Sequence, residues 1–238
     1  MWISGQSGSG KTSLGEALKQ QHDFVHFDGD VFANGGVPEH FSGIPTEEML
    51  KGGDPHVRAA YGKMVEEGFG PLLRGEPCPP LAVWAPFHDL LCADVLRVWD
   101  AHPDRSLAVS FAVYPRQVRD YVMSKLPRGA TPPATVMLVL NDAAGSAVQR
   151  KFRQVETAAA AAGQSVKEFL TKFGPEWSST PDASDEQVRV RLRAKMVETQ
   201  TGFTLAGPGE LGIDVIDGMS AQEVLECACR LLSLQLTI

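Results

Sequence analysis

The chain opens Met1-Trp2-Ile3-Ser4-Gly5-Gln6-Ser7-Gly8-Ser9-Gly10-Lys11-Thr12-Ser13. Its first four residues form a short apolar run of the kind that makes a buried strand, and beyond Thr12 the residues Leu14, Ala17 and Leu18 recur at helical spacing. Between the two, Gly5 to Thr12 satisfies G-x-x-x-x-G-K-[ST]. Accident alone would produce that pattern in such a chain with a chance on the order of 1%. The glycines let backbone N–H groups curl round a phosphate, and the helix N-terminus adds partial positive charge. The Lys11 ammonium reaches the β- and γ-phosphate oxygens, and the Thr12 hydroxyl can ligate Mg²⁺. Gly5, Ser7, Gly8, Ser9, Gly10, Lys11, Thr12 and Ser13 are therefore the expected cradle for the phosphates of ATP.

Working outward, five apolar runs read as strands, at 1–4, 24–28, 107–114, 135–141 and 213–217. The third and fourth are apolar almost without a break, as strands covered on both faces are, so the expected fold is α/β. It is a three-layer sandwich with a five-stranded parallel sheet. Helical spacing marks 12–20, 146–161, 186–201 and 220–234, the last with Ser220 and Glu223 placed as a capping box.

Two stretches exceed what a simple strand and helix alternation needs. Residues 31–106 hold glycine turns at 34–36 and 52–53 and the proline-rich Glu76-Pro77-Cys78-Pro79-Pro80, which marks an inserted region. Residues 146–201 contain the polar, proline-punctuated Gly174-Pro175-Glu176-Trp177-Ser178-Ser179-Thr180-Pro181-Asp182, the composition of a lid.

The second strand ends His26-Phe27-Asp28-Gly29-Asp30. This puts two carboxylates at a carboxyl edge, where open α/β sheets bind ligands. Asp28 is placed to hold a Mg²⁺-bound water and Asp30 to accept a proton from an attacking hydroxyl. The competing reading is a pair of turn formers around a glycine.

Together, the amino-terminal phosphate loop and the D-x-D on the second strand resemble the gluconate kinase and shikimate kinase group of P-loop kinases, relatives of the nucleoside monophosphate kinases. Ser110 through Arg119-Asp120 is similar to a gluconate kinase stretch, although the spacing is longer and Val118 stands where that family has tyrosine. The ending Ile213-Asp214-Val215-Ile216-Asp217 and the helix after it also resemble the group. The resemblance implies one kinase domain over 1–238, with 31–106 binding the acceptor and 146–201 forming the lid. It implies catalytic roles for Lys11, Asp30 and the lid arginines Arg150 and Arg153, with Arg189, Arg191 and Arg193 as a rival cluster. Thr12 and Asp28 would be at the metal and Arg119 on the acceptor. In the insert, His56 and Arg58 follow a turn, and His88-Asp89 follows Trp84, so they are candidate acceptor contacts around an aromatic wall. Individually each also reads blandly, as a capped helix start, a surface arginine and a packing tryptophan.

Composition narrows the partners. With 22 Lys+Arg against 29 Asp+Glu, the net charge of -7 disfavours nucleic acid and anionic membranes. Cys78, Cys92, Cys227 and Cys229 show neither metal-ligand nor disulfide spacing, so they read as reduced thiols. No charged-then-apolar leader and no run of about 18 apolar residues is present, the pattern of a cytoplasmic protein. The third strand runs into Tyr114-Pro115 without the aspartate of motor ATPases and switch GTPases, and Asn141-Asp142 lacks the lysine of a guanine-reading motif. The expected activity is transfer of the γ-phosphate of ATP, with Mg²⁺, to a hydroxyl of a small polar acceptor by a monomer or homodimer. The alternatives are a kinase of nucleotides, nucleic-acid ends or antibiotics, and a nucleotide-binding switch without an acceptor.

Overall fold

The computed structural model describes residues 1–33, 54–127, 135–142, 145–171, 182–216 and 218–235. The glycine turns at 34–36 and 52–53, residue 217, and all of the 174–182 stretch except Asp182 lie outside the described residues. Five strands, β1 (Trp2–Gly5), β2 (Val25–Asp28), β3 (Leu107–Ser110), β4 (Met137–Asn141) and β5 (Leu211–Asp214), form one parallel sheet in the order β2-β3-β1-β4-β5. Asp28 pairs in register with Ser110, and Gly5 with Leu140, so the ends of four strands make a common edge. The three central strands are wholly buried, which is why their sequences alternate so little.

Ten helices surround the sheet among the described residues: α1 (Lys11–His22), α2 (Gly29–Ala33), α3 (Pro55–Lys63), α4 (Gly70–Leu73), α5 (Leu81–Asp100), α6 (Arg116–Lys125), α7 (Ser146–Ala161), α8 (Val166–Leu170), α9 (Asp185–Glu198) and α10 (Ala221–Gln235). A π-helical turn, Met64–Phe69, joins α3 to α4.

Strand limits differ from the sequence reading, most of all at the third strand and the last. The apolar run 107–114 pairs in register only to Ser110, which lies opposite Ile3 and Asp28; beyond it the Phe111 N–H donates to the Ile3 carbonyl at 3.2 Å and Val113 exchanges hydrogen bonds with the Ser4 hydroxyl, at 3.0 and 3.1 Å. Apolar periodicity reports burial, and Phe111, Val113 and Tyr114 are buried beyond the end of the strand. The last strand starts at Leu211, two residues early, since Gly212 breaks the apolar pattern while still pairing with Val139.

Three cores result. On one face of the sheet Trp2, Val109, Met137 and Val139 pack with Val57, Met64, Leu72, Trp84 and Phe87, so the described part of the long 31–106 region shares the core of the sheet. Trp84 is 1% exposed and serves that packing. The other face buries Ile3, Leu14, Leu18, Leu138, Leu140 and Leu225. Helices α7, α8 and α9 enclose a separate core of Val148, Phe152, Val155, Leu170, Val188, Leu192 and Met196.

Arg119, expected on the acceptor, instead joins chain to chain. It is 0% exposed, and its guanidinium donates to Glu210 at 2.7 and 3.1 Å and to the carbonyls of Val113, Tyr114, Thr204 and Leu205. Five N–H donors meet six acceptor contacts, so nothing is left for a substrate. Arg119 is the fourth residue of α6, and a cation there can turn inward as readily as outward.

All four cysteines are free. Among the described residues no cluster of three metal-ligating side chains occurs, and no helix is long and apolar enough to cross a membrane.

Replacing Arg119 with methionine removes the bidentate partner of the buried Glu210 carboxylate, whose side chain is 4% exposed, leaving it Arg116 at 3.5 Å and the Gly207 N–H at 2.8 Å, and leaves the carbonyls that Arg119 served without their donor. Urea unfolding should show a loss of about 3–5 kcal/mol, partly regained in the Arg119→Met/Glu210→Gln pair. A loss below about 1 kcal/mol would contradict the strut role.

Candidate active site

The loop after β1 turns through left-handed backbone at Gly8 (φ 83°) and Gly10 (φ 97°). The two glycines answer different needs. A β-carbon at Gly8 would lie 2.7 Å from the Ala147 carbonyl oxygen of α7, whereas at Gly10 nothing stands within 4 Å and only the backbone angle demands glycine. Lys11 is buried, and its Nζ donates to the Gln6 carbonyl at 3.0 Å, folding the ammonium back over the loop.

Thr12 and Asp28, named for the metal, come together. Thr12 Oγ1 donates to Asp28 Oδ2 at 3.2 Å, and Asp28 Oδ1 accepts the Asp30 backbone N–H at 2.9 Å. Asp30 therefore stands on the first turn of α2, half-buried, two residues beyond the strand edge. Gly29 between them has to be glycine, since a β-carbon would press on the Phe111 ring at 2.8 Å. Beneath this pair a side-chain chain ties α1 to the sheet: His26 Nδ1 meets Glu16 Oε1 at 2.7 Å and His26 Nε2 meets Ser110 Oγ at 2.9 Å. The hydrogen bond from His26 holds the Glu16 carboxyl below its usual range.

Helix α7 supplies cations to the loop. Buried Asp142 caps it, accepting from Ser146 N at 2.9 Å, from Ser146 Oγ at 2.5 Å and from Ala147 N. Ser146 Oγ in turn receives Arg150 Nη1 at 2.9 Å, and Arg150 Nε donates to the Gly8 carbonyl at 3.0 Å. Lys151 Nζ reaches Ser7 Oγ at 3.2 Å. Ala147, Arg150 and Lys151 share the face on the loop, as their i, i+3, i+4 spacing dictates, while Arg153 lies further round and is exposed. The structure thus brings Arg150 to the loop with Lys151 beside it. In the rival cluster, Arg189 pairs with Asp185 at 2.7 Å and with Glu156 of α7, and the Arg193 guanidinium lies 4.5 Å above the Phe152 ring. Those two arginines hold α9 to α7.

The loop fits a ligand rich in hydrogen-bonding groups. Gln6 Oε1, Ser9 Oγ and Gln200 Oε1 are buried in and around it without a partner. Orphaned groups of this kind cost about 1–3 kcal/mol each, a cost that a bound molecule or ordered water removes.

The insert candidates separate. His56 is exposed in the first turn of α3, its backbone N–H capped by Asp54 at 2.8 Å, and Arg58 is half-buried two residues on. α3 packs against α2 and α5, which keeps both near the element carrying Asp30. His88 is 1% exposed, with Nδ1 2.8 Å from the Trp84 carbonyl, so Nδ1 carries the proton. Burial pushes its pKa down to about 4.

Lys151, Tyr114 and Gln200 touch the loop without having been singled out from sequence. Tyr114 Oη accepts from Ser7 N at 3.3 Å, and Gln200 Nε2 donates to the Ser7 carbonyl at 3.4 Å. The signal for Tyr114 was its place just past the end of β3; Lys151 and Gln200 have polar types and positions shared by dozens of surface residues.

The fold and site define a phosphate-loop α/β architecture. No family model matches the sequence, and no curated protein matches it. Among solved structures the chain is similar to a gluconokinase from Sinorhizobium meliloti, at 17% identity over 98% of this chain and 95% of that one, with a TM-score of 0.49. It is also similar to a sugar kinase from Janibacter sp. (15% identity, 99% and 95% covered, TM-score 0.45) and to a shikimate kinase from Bacteroides thetaiotaomicron (16% identity, 98% and 97% covered, TM-score 0.41).

Thermal unfolding should rank the loop glycines. Gly8→Ala combines an unfavourable φ with a carbonyl collision and should cost more than Gly10→Ala, which meets only the angle penalty of about 1–2 kcal/mol; equal losses would refute the packing of α7 on the loop. For His88 the unfolded ring takes up a proton near pH 6.5 and the folded ring only near 4. As pH falls through that window the wild type should lose up to about 3 kcal/mol more than His88→Phe, with no further difference below it. Parallel pH profiles of the two proteins would disprove the assignment.

Proposed function

We propose that this protein is an ATP-dependent phosphotransferase that moves the γ-phosphoryl group to a hydroxyl of a small polyhydroxylated acceptor, a sugar acid or related alcohol. The observation that carries the reading is the meeting of Thr12 with Asp28 directly below the phosphate loop, with Asp30 bonded through its backbone to the same carboxylate. A phosphate loop alone serves any nucleotide binder. A hydroxyl and a carboxylate converging at its base suit a divalent cation, and a second carboxylate one turn away suits a proton acceptor.

Bound Mg·ATP supplies the phosphoryl group and the cation that offsets its charge. The loop N–H groups from Gly8 to Thr12 orient the phosphates, and the Lys11 ammonium swings from the Gln6 carbonyl to their oxygens. Thr12 and Asp28 would hold the cation. Asp30 accepts the proton of the acceptor hydroxyl while its oxygen bonds to phosphorus, and the bond from phosphorus to the β,γ-bridging oxygen breaks to leave ADP. The proton on Asp30 then passes to solvent. Arg150 and Lys151, rather than Arg153, offset charge on the transferred group. The insert, with His56 and Arg58 on α3 beside α2, would receive the acceptor, and the helices of the third core would exclude water.

Incubation with Mg·ATP and a panel of sugar acids, polyols, nucleosides and aminoglycoside-type alcohols should give acceptor-dependent ADP release. Asp30→Asn should lower kcat by about 10²–10⁴ and leave ATP affinity within about threefold. Undiminished turnover in Asp30→Asn would rule out the proton-acceptor role, and slow hydrolysis indifferent to every acceptor would favour a nucleotide switch.

A further inference from the structure

Tyr114 stands where the separate parts of the site meet. Its hydroxyl accepts from the Ser7 N–H of the phosphate loop at 3.3 Å and donates to the Thr199 carbonyl at 2.6 Å. Thr199 caps the C-terminus of α9, the last helix of the third core. The ring is met edge-on by Phe69, centroids 5.2 Å apart at 88°, and by Phe203, 5.3 Å apart at 88°. Phe69 ends the π-helical turn of the inserted region and stands edge-on to Trp84 of α5 at 5.1 Å. The Tyr114 backbone is fixed as well, because its carbonyl accepts from Arg119 Nη1 at 2.9 Å and from Thr204 N and Oγ1 at 3.2 and 2.9 Å.

A side chain held at its backbone and on two sides of its ring cannot follow one partner without pulling on the others. The hydroxyl ties that ring to the loop, and a shift of the Ser7 N–H by a few tenths of an ångström breaks a 3.3 Å bond. Phosphates settling on the loop would move that N–H. The helices of the third core respond as one packed body, since buried interfaces switch between arrangements more readily than they deform. We infer that Tyr114 is a positioning residue whose hydroxyl couples occupancy of the phosphate loop both to the α7–α9 unit and, through Phe69, to the acceptor side. The coupling rests on the phosphotransferase reading in that it links the nucleotide and acceptor halves of that reaction.

The test is amide hydrogen exchange of the full chain, wild type and Tyr114→Phe, with and without Mg·AMP-PNP. Phenylalanine keeps both edge-on ring contacts and removes both hydroxyl bonds. In the wild type the nucleotide should slow exchange at 5–12, at 196–203 and at 64–73. In Tyr114→Phe, protection at 5–12 should persist while protection at 64–73 falls by about fivefold or more, the lower end of ordinary coupling between sites. Equal nucleotide-induced protection at all three segments in both proteins overturns the inference. So does a variant that melts far below the wild type or exchanges faster throughout, because Tyr114 would then be a packing residue. If Mg·AMP-PNP leaves the wild-type loop unprotected, the nucleotide reading itself fails. The nucleotide-free pair then decides on Tyr114: faster exchange confined to 5–12 and 196–203 in the variant upholds the clamp, and unchanged exchange there removes it.

Discussion

The constraint on which the rest of the molecule depends is the left-handed turn of backbone between β1 and α1. A chain that leaves a buried central strand and enters a helix within six residues, with its N–H groups facing inward, has few conformations open to it, and Gly8 and Gly10 supply the positive φ angles they require. The turn then dictates its surroundings. Because Gly8 lacks a β-carbon, α7 can lay the Ala147 carbonyl against the loop, and only with α7 that close do Arg150 and Lys151 reach it. The Asp142 cap fixes the direction in which that helix leaves β4. Charge at the site is thus a consequence of backbone geometry, in a chain whose overall charge is of the opposite sign.

The fold was largely legible in the sequence because its physics is local. Strand–loop–helix chemistry at Gly5 to Thr12 and unbroken apolar runs at 107–109 and 137–140 leave little room for anything but a parallel sheet covered on both faces. Positions in the candidate site were legible where they follow from the order of the chain: Thr12 lies next to Lys11, and Asp28 ends the next strand in sequence. It was illegible where a side chain had a choice of direction. Arg119 and Arg153 look alike in sequence, yet one closes a buried ion pair with Glu210 and the other is exposed. Helical phase separates Arg150 from Arg153, but only once the loop is known to lie on the Ala147 face.

Aromatic residues unify what the sequence presents as separate regions. Trp84 and Phe87 resemble the wall of a pocket in sequence, and both are 1% exposed or less, in the core that joins the long insert to the sheet. The described part of the insert is therefore seated on the face of the sheet with Phe111 and Tyr114, and Phe69 and Trp84 are in edge contact leading to the phosphate loop. What distinguishes this region is its attachment, and attachment depends on contacts between residues dozens of positions apart.

The third core has a consequence of a different kind. Its buried residues, from Val148 to Met196, belong to α7, α8 and α9 alone and none is shared with the cores on either face of the sheet. A unit with its own apolar interior can lose its order as a unit, so melting of these helices forms a partial unfolding step available below the global transition. The boundary along which such a unit would melt is also the boundary along which a lid would swing. On the proposed lid reading, local instability and gating of the phosphate loop draw on the same small reservoir of free energy, and a substitution that stiffens one restrains the other.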